Sequence, residues 1–466
     1  MGLLSFSSLA LTALAISTPL ASAANAIFYP KINLTDTENN LIQAHGGAIL
    51  RSASSDDNNW YWFGEDKTGL TNSGSFIGVN CYRSSNFVSW ERVGHVLSPQ
   101  DGTNISDSKI VERPKVIYND KNSEYVMWFH GDNSSYGAAQ VGVATSQTVD
   151  GQYSWKGNFK PFGNDSRDMT VWKDPDDGSA YLIYATNGNA DFSIASLDSD
   201  YYYPNESLYT FEEKFWEAPG VFKIDGVFYL IFSRQDGWTP TDNFYMTSTS
   251  MAGPWSEATL LAPEGSYAYL TQNAYDIVIE GSKQVVYLYY GDHWSGNQLG
   301  SSTYAFHPTT HDGETLSLYK TGAWTLDLAT GEWSDLPFDS ITAADSTTPD
   351  TNLVPCEDGC AGGQAANMTS ETSFSFTYSG GAGAKVLGIE YVYNGPKNRF
   401  LHIGVTLNGA QAEGNALMET TRGTTYAQEA PFPVELADGD EVTLKLLDAD
   451  GNAFLIDGVK VYEDLR

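Results

Sequence analysis

Three acidic residues stand at matching places in successive segments of this 466-residue chain. Glu112 lies in IVERPKVIYN, Asp168 in SRDMTVWKD and Glu217 in FWEAPGVFKIDGVFYL. Each precedes a short apolar run, then a charged turn, then a second run rich in tyrosine. A strand pair repeated in this way carries the three carboxylates towards one point. Neighbouring carboxyl groups divide acid and base work between them. Burial and mutual repulsion keep one protonated as a proton donor, while another attacks or activates water. In a cleft lined by aromatic rings, that is the chemistry of glycosidic-bond cleavage. The plainer reading pairs Glu112 and Asp168 with their chain neighbours Arg113 and Arg167; recurrence at three equivalent positions counts against it.

The corresponding stretches on either side supply no acid. QAHGGAILRSASSDDNNWYWFGE offers His45, followed by two glycines, and YAYLTQNAYDIVIEGSKQVVYLYY offers Gln272. His45 serves either as a hydrogen-bond donor to a sugar or as part of the framework. Trp238 and Trp294 serve either to stack on a sugar's apolar face or to pack between strands.

The elements that must position these residues repeat. Tyr61, Tyr125, Tyr181, Tyr229 and Tyr287 lead five similar strands, 64, 56, 48 and 58 residues apart. Three of these strands are followed by one ending in Ser or Thr, a short turn, and then Trp90, Trp155 or Trp255. Five units of roughly fifty residues, each of about four short antiparallel strands, describe a β-propeller. Beyond Trp333 the character changes. Residues 337–351, PFDSITAADSTTPDT, read as a linker, and period-two runs broken by Asn-Gly and Asp-Gly turns follow. The expected fold is all-β: a five-bladed propeller over 25–336 and a small jelly-roll-like β-sandwich over 352–466.

Composition narrows the partners. Asp and Glu number 58 against 25 Lys and Arg, a formal charge of −33. Such a surface repels nucleic acid and anionic membranes and suits a neutral ligand such as a glycan. Residues 1–24 read as a secretory signal with an apolar centre and the small-residue end Ala21-Ser22-Ala23, although Lys and Arg are missing from its start. Sequons at Asn33, Asn104, Asn133, Asn164, Asn205 and Asn367 fit a secreted glycoprotein. Cys356 and Cys360 are close enough to pair, leaving Cys81 buried and free. A monomer is expected. Asp448, Asp450 and Asn452 in LLDADGNAF mark either a sugar or calcium site or an ordinary turn.

The segments AHGGAIL, ERPKVIYN, SRDMTVWKD, WEAPGVFK and the Gly-Trp after the fourth repeated strand resemble glycoside hydrolase family 43, whose members are five-bladed propellers. They are most similar to its fungal exo-β-1,3-galactanase branch, which carries a C-terminal carbohydrate-binding module of the family 35 type. The resemblance implies release of galactose from the non-reducing end of β-1,3-galactan, the arabinogalactan backbone, with inversion and without a catalytic cofactor. Many relatives hold calcium in the C-terminal module. Carried over, Glu217 is the general acid and Asp168 the residue that positions and tunes it. The family's usual blade-one Asp is missing, as in that branch, where an amide in blade five is thought to hold the water; Gln272 stands there. Glu112 is implied to bind sugar hydroxyls, although a carboxylate is a better base than an amide. Tyr136 and Asn189 fall at substrate-contact places. Two other readings stay open: an arabinofuranosidase or xylosidase of the same family, which would normally retain the blade-one Asp, and an inactive galactan-binding lectin.

Overall fold

A computed structural model describes residues 25–71, 75–349, 352–355, 363–396, 399–422 and 426–466. The expected signal segment and the Cys356–Cys360 pair lie outside these residues. Cys81 is buried with a free thiol.

The first part of the chain forms five four-stranded antiparallel sheets, each in chain order. Their first strands are His45–Arg51, Lys109–Asn119, Met169–Lys173, Trp216–Ile224 and Gln272–Glu280. Their second strands are Trp60–Glu65, Glu124–Asn133, Ala180–Thr186, Val227–Arg234 and Val285–His293, and these carry the five repeated tyrosines. The second strands are apolar on both faces because neighbouring sheets cover both; every residue of Trp60–Glu65 is buried. Each first strand packs against the next, and the fifth packs back against the first, so the five form a ring. The strand Ala26–Phe28 returns to pair with Trp324–Leu326, which also pairs with Trp333–Asp335.

One local device recurs on the ring. Register slips in the first strand between His45 and Ala48, between Glu112 and Lys115, and between Glu217 and Gly220. The residue after each head is left-handed: Gly46 at φ 57°, Arg113 at 52° and Ala218 at 55°. The fifth sheet slips between Asn273 and Tyr275. Such a bulge bends the strand and re-aims the side chains beside it. The motifs His-Gly-Gly, Glu-Arg-Pro and Glu-Ala-Pro are therefore three versions of one turn of the backbone.

The rest of the chain forms two further sheets. One contains Leu353–Pro355, Gln364–Asn367, Phe454–Glu463, Gly383–Tyr393 and Gln428–Leu436; the other contains Ser373–Thr377, Glu441–Leu446, Phe400–Leu407 and Ala410–Glu419. Buried residues of both share one core, among them Ile389, Tyr391, Phe454, Phe374, Leu401 and Leu444. Pro431 and Pro433 are accommodated because Gln428–Leu436 is an edge strand.

The expected linker is corrected here. Phe338–Thr342 is a strand paired antiparallel with Phe454–Glu463, and Thr342 caps the turn Ala343–Asp345. Its Ser, Thr and Asp content reads as loop because one face is solvated, while its partner strand lies more than a hundred residues away in sequence. Tyr29, Ile32, Ala323, Leu336, Val386 and Tyr462 form a common apolar cluster that joins the C-terminal sheets to the rest.

Candidate active site

The heads of the ring strands are joined by at least one hydrogen bond or ion pair across each boundary between neighbouring sheets. Gly46 N–H donates to Asp292 Oδ2 at 2.9 Å, linking the fifth sheet to the first. Arg113 N–H donates to Glu65 Oε1 at 2.9 Å, linking first to second. Arg113 Nε pairs with Asp168 Oδ2 at 2.8 Å, linking second to third. Ala218 N–H reaches the same Asp168 oxygen at 3.1 Å, linking third to fourth. Gln272 Nε2 donates to Glu217 Oε1 at 2.7 Å, linking fourth to fifth. The bulges make this possible, since the left-handed Arg113 and Ala218 present their N–H groups to the neighbouring sheet rather than to their own.

Above this ring opens a cavity of about 310 Å³, lined by Glu65, Glu112, Arg113, His130, Tyr136, Arg167, Asp168, Asn189, Glu217, Gly237, Trp238, Gln272 and Trp294. The volume lies at the small end of the range for ligand pockets. Of the nine residues expected from sequence, eight line it. His45 does not: it is fully buried, its Nδ1 3.4 Å from Asp292 Oδ1 and its ring stacked on Tyr304 at 4.9 Å. It is a framework residue, replaced at the site by its cross-strand partner Glu65.

Neither Glu112 nor Asp168 pairs with its chain neighbour. The left-handed Arg113 turns away from Glu112 to Asp168, and Arg167 reaches Asp165 Oδ2 at 3.2 Å and Tyr136 O at 3.1 Å. Glu112 instead accepts from Tyr136 OH at 2.8 Å and faces His130 Nδ1 at 3.3 Å. His130 is also 3.0 Å from Asp132. Burial works to lower its pKa, but the two carboxylates lift it to about 9. Burial would raise Glu112, yet His130, Lys67 and Tyr136 hold it below the ordinary value. Glu112 is thus an ionised carboxylate facing the pocket.

Glu217 is the opposite case. Burial, then the charge of Asp168, push its pKa well above the ordinary carboxyl value. Gln272 donates to Oε1, so the proton of neutral Glu217 falls to Oε2. The pocket therefore holds a protonated acid beside an ionised carboxylate, the division that acid catalysis requires.

Gln272 is held from three sides. Its carbonyl accepts from Arg113 at 2.8 Å and from Trp294 Nε1 at 2.9 Å, while Nε2 faces Glu217. Trp294 is buried, and Trp238, half-buried, meets it edge-on at 4.8 Å. Tyr136 and Asn189 both sit at positive φ, at 56° and 66°. Behind Gln272, Tyr267–Leu270 forms a left-handed turn with four consecutive positive φ values from 48° to 65°. A left-handed conformation costs about 1–2 kcal/mol per residue for L-amino acids, so surrounding contacts must hold it.

Sequence reasoning missed Glu65, His130 and Asp292 and took Arg113 only as a partner for Glu112. A signal existed: Gly64-Glu65, Gly131-Asp132 and Gly291-Asp292 repeat at the ends of three second strands. Burial raises Glu65 to about 6, although Lys67 stands 2.6 Å away.

Asp448 and Asp450 turn to protein donors, Asp448 to His402 at 2.9 Å and Asp450 to Tyr393 OH at 2.5 Å. Among the described residues no three His, Cys, Asp or Glu side chains gather as metal ligands.

A ring of strand heads that sets a neutral carboxyl beside an ionised one, in a pocket with aromatic walls, is equipped to cleave a glycosidic bond. The model for "Glycosyl hydrolases family 43" matches residues 52–294, and the chain belongs to that family. It is 34% identical to the exo-β-1,3-galactanase of Phanerochaete chrysosporium solved with galactose, over 94% of this chain and all of that one, with a TM-score of 0.86. A putative exo-β-1,3-galactanase from Bifidobacterium bifidum is 30% identical over 63% of this chain and 97% of its own, with a TM-score of 0.58. An exo-β-1,3-galactanase from Clostridium thermocellum is 25% identical over 94% of this chain and 97% of its own, with a TM-score of 0.63. No curated protein matches.

Proposed function

We propose that this enzyme is a secreted exo-acting hydrolase that releases galactose from the non-reducing end of β-1,3-galactan with inversion. The observation that carries the reading is the pocket itself, where buried, protonated Glu217 is set by Asp168 and Gln272 on a chain similar throughout to a galactanase that binds galactose. A variant of the Phanerochaete enzyme was solved with β-1,3-galactotriose, which supports the linkage. On this reading the five sheets are propeller blades, the pocket is their axial mouth, and no cofactor takes part. The C-terminal sheets form a sandwich module that retains galactan. Asn33, Asn104, Asn164, Asn205 and Asn367 are exposed as glycosylation requires, while Asn133 is half-buried and accepts from Ser135 and Gly137.

In the reaction, Glu217 protonates the leaving oxygen and Asp168 keeps it neutral and aimed. Gln272 orients the attacking water, and Glu112, Tyr136, Asn189 and Trp238 hold the sugar. One observation favours a second assignment. The Gln272 carbonyl already accepts two hydrogen bonds, whereas Glu112 is ionised and better able to take a proton from water. The test is incubation with β-1,3-galactan and a panel of aryl glycosides, following the first turnovers by proton NMR. Galactose should appear as its α-anomer. Release of arabinose or xylose, no release at all, or an initial β-anomer would each refute the reading.

A further inference from the structure

We infer that the C-terminal domain is part of the active site's framework, and that Arg422 is the positioning residue through which it sets the pocket wall formed by Trp238, Gln272 and Trp294. The inference rests on this pocket being the active site.

All three wall residues hang from segments gripped by the C-terminal domain. The Arg422 guanidinium lies over the ring of Tyr267 at 3.7 Å, on the left-handed turn that delivers Gln272. It also reaches Asp236 Oδ2 at 3.5 Å and donates to the backbone carbonyl of Pro240. Asp236 and Pro240 bracket Gly237 and Trp238, which line the pocket. Gln428 Nε2 donates to Ser266 O at 3.1 Å, at the entry of the turn. Glu419 is 3.1 Å from His293, whose chain neighbour Trp294 donates to Gln272. The rest of the chain holds the turn as well: Asp242, beside the fourth sheet, accepts from the N–H groups of Gly265 and Tyr267, the Tyr269 hydroxyl donates to Leu318 O at 3.0 Å, and Thr271 Oγ1 donates to Ala268 O at 2.6 Å.

The physical consequence follows from the turn. Four successive left-handed residues keep their geometry only where neighbours over-determine it. Release of one grip lets Thr271 and Gln272 shift. Gln272 is the donor to Glu217 and the acceptor for Arg113, so a shift there disturbs the acid directly. Arg422 suits the task because a planar cation stacks on an aromatic face while its edge N–H groups reach other acceptors. The domain therefore shapes catalysis on short soluble substrates as well as capture of polymer.

The test uses the full chain carrying Arg422→Ala, Arg422→Lys or Tyr29→Phe. Tyr29 hydroxyl donates to Glu463 O, so its loss perturbs the same domain contact away from the pocket. Kinetics are measured on a soluble β-1,3-galactooligosaccharide, with hydrogen–deuterium exchange of peptides spanning 236–241 and 265–273. Arg422→Ala should lower kcat about ten- to a hundredfold, the range for small misplacements of reacting groups. It should also move the pH profile of kcat and speed exchange in both peptides. Arg422→Lys should recover part of the loss, and Tyr29→Phe should stay within about twofold. Wild-type kinetics, pH profile and exchange in Arg422→Ala would overturn the inference, as would equal losses in Tyr29→Phe. If Arg422→Ala fails to fold, Arg422→Lys decides: an unchanged pH profile and unchanged exchange in that variant would overturn it. A wild-type chain inactive on every galactoside would sink the proposed function alone, because the exchange comparison still reports on the grip.

Discussion

Glu217 and Asp168 form one unit, and their variants should separate aim from proton supply. Glu217→Gln should cost about 10²–10⁴ in kcat on substrates with poor leaving groups, the usual worth of general acid catalysis. It should cost far less on activated aryl galactosides. The acid works protonated, and its pKa is raised by burial and then by Asp168, so activity persists upward in pH and falls as pH climbs through that value. Asp168→Asn removes the neighbouring charge and frees Arg113 to act on Glu217. Both changes lower the pKa, so the basic limb of the kcat profile should move to lower pH; an unmoved limb would refute the tuning role. Glu112→Gln decides the water's base. If Glu112 binds sugar, KM should rise along with the loss in turnover, and azide should restore nothing. Azide rescue of this variant, but not of Gln272→Ala, would make Glu112 the base.

The bulged strand head is the element on which the site depends. At Gly47 an added Cβ would lie 1.8 Å from the carbonyl oxygen of Phe63, and at Gly46 it would meet Glu65 Oε1 at 2.5 Å in a left-handed backbone. Backbone cannot yield as a flexible side chain can. Gly47→Ala should therefore destabilise by about 1–3 kcal/mol, as overpacking does. Melting should fall by about 2–4 °C for each kcal/mol, read by calorimetry. Activity should fall with it, since the same bulge sets Glu65 against Arg113.

Across the whole molecule, the strand Phe338–Thr342 belongs with the C-terminal sheets although it follows directly on Trp333–Asp335, which pairs within the first part of the chain. Phe338 packs edge-on against Tyr462 at 5.4 Å, and its strand covers one side of Phe454–Glu463. Between two fragments, 338–466 and 352–466, the shorter should melt lower and associate more readily because it exposes an unpaired edge. Equal melting and equal monodispersity would show that the strand contributes nothing. Retention in a galactan affinity gel tests whether either fragment binds polymer.

Much of this protein is legible in its residues alone, because short-range chemistry decides those parts. The repeated tyrosines mark the second strands, whose apolar content must be covered on both faces. The Glu-Arg-Pro, Arg-Asp and Glu-Ala-Pro heads place Glu112, Asp168 and Glu217 at equivalent points of the ring. What the residues alone could not decide depends on contacts between segments far apart in sequence. His45 heads its strand, yet it is buried against Asp292 and Tyr304 of the fifth sheet and so is kept from the pocket, and Glu65 takes the place across the strand. Arg113 stands beside Glu112 in the chain but serves Asp168, because a left-handed residue at a bulge sends its side chain to the neighbouring sheet. Phe338–Thr342 has loop composition and becomes a strand only once Phe454–Glu463 offers its edge. Local sequence thus sets which residues stand at the strand heads, while the closure of five sheets into one ring decides where each side chain points.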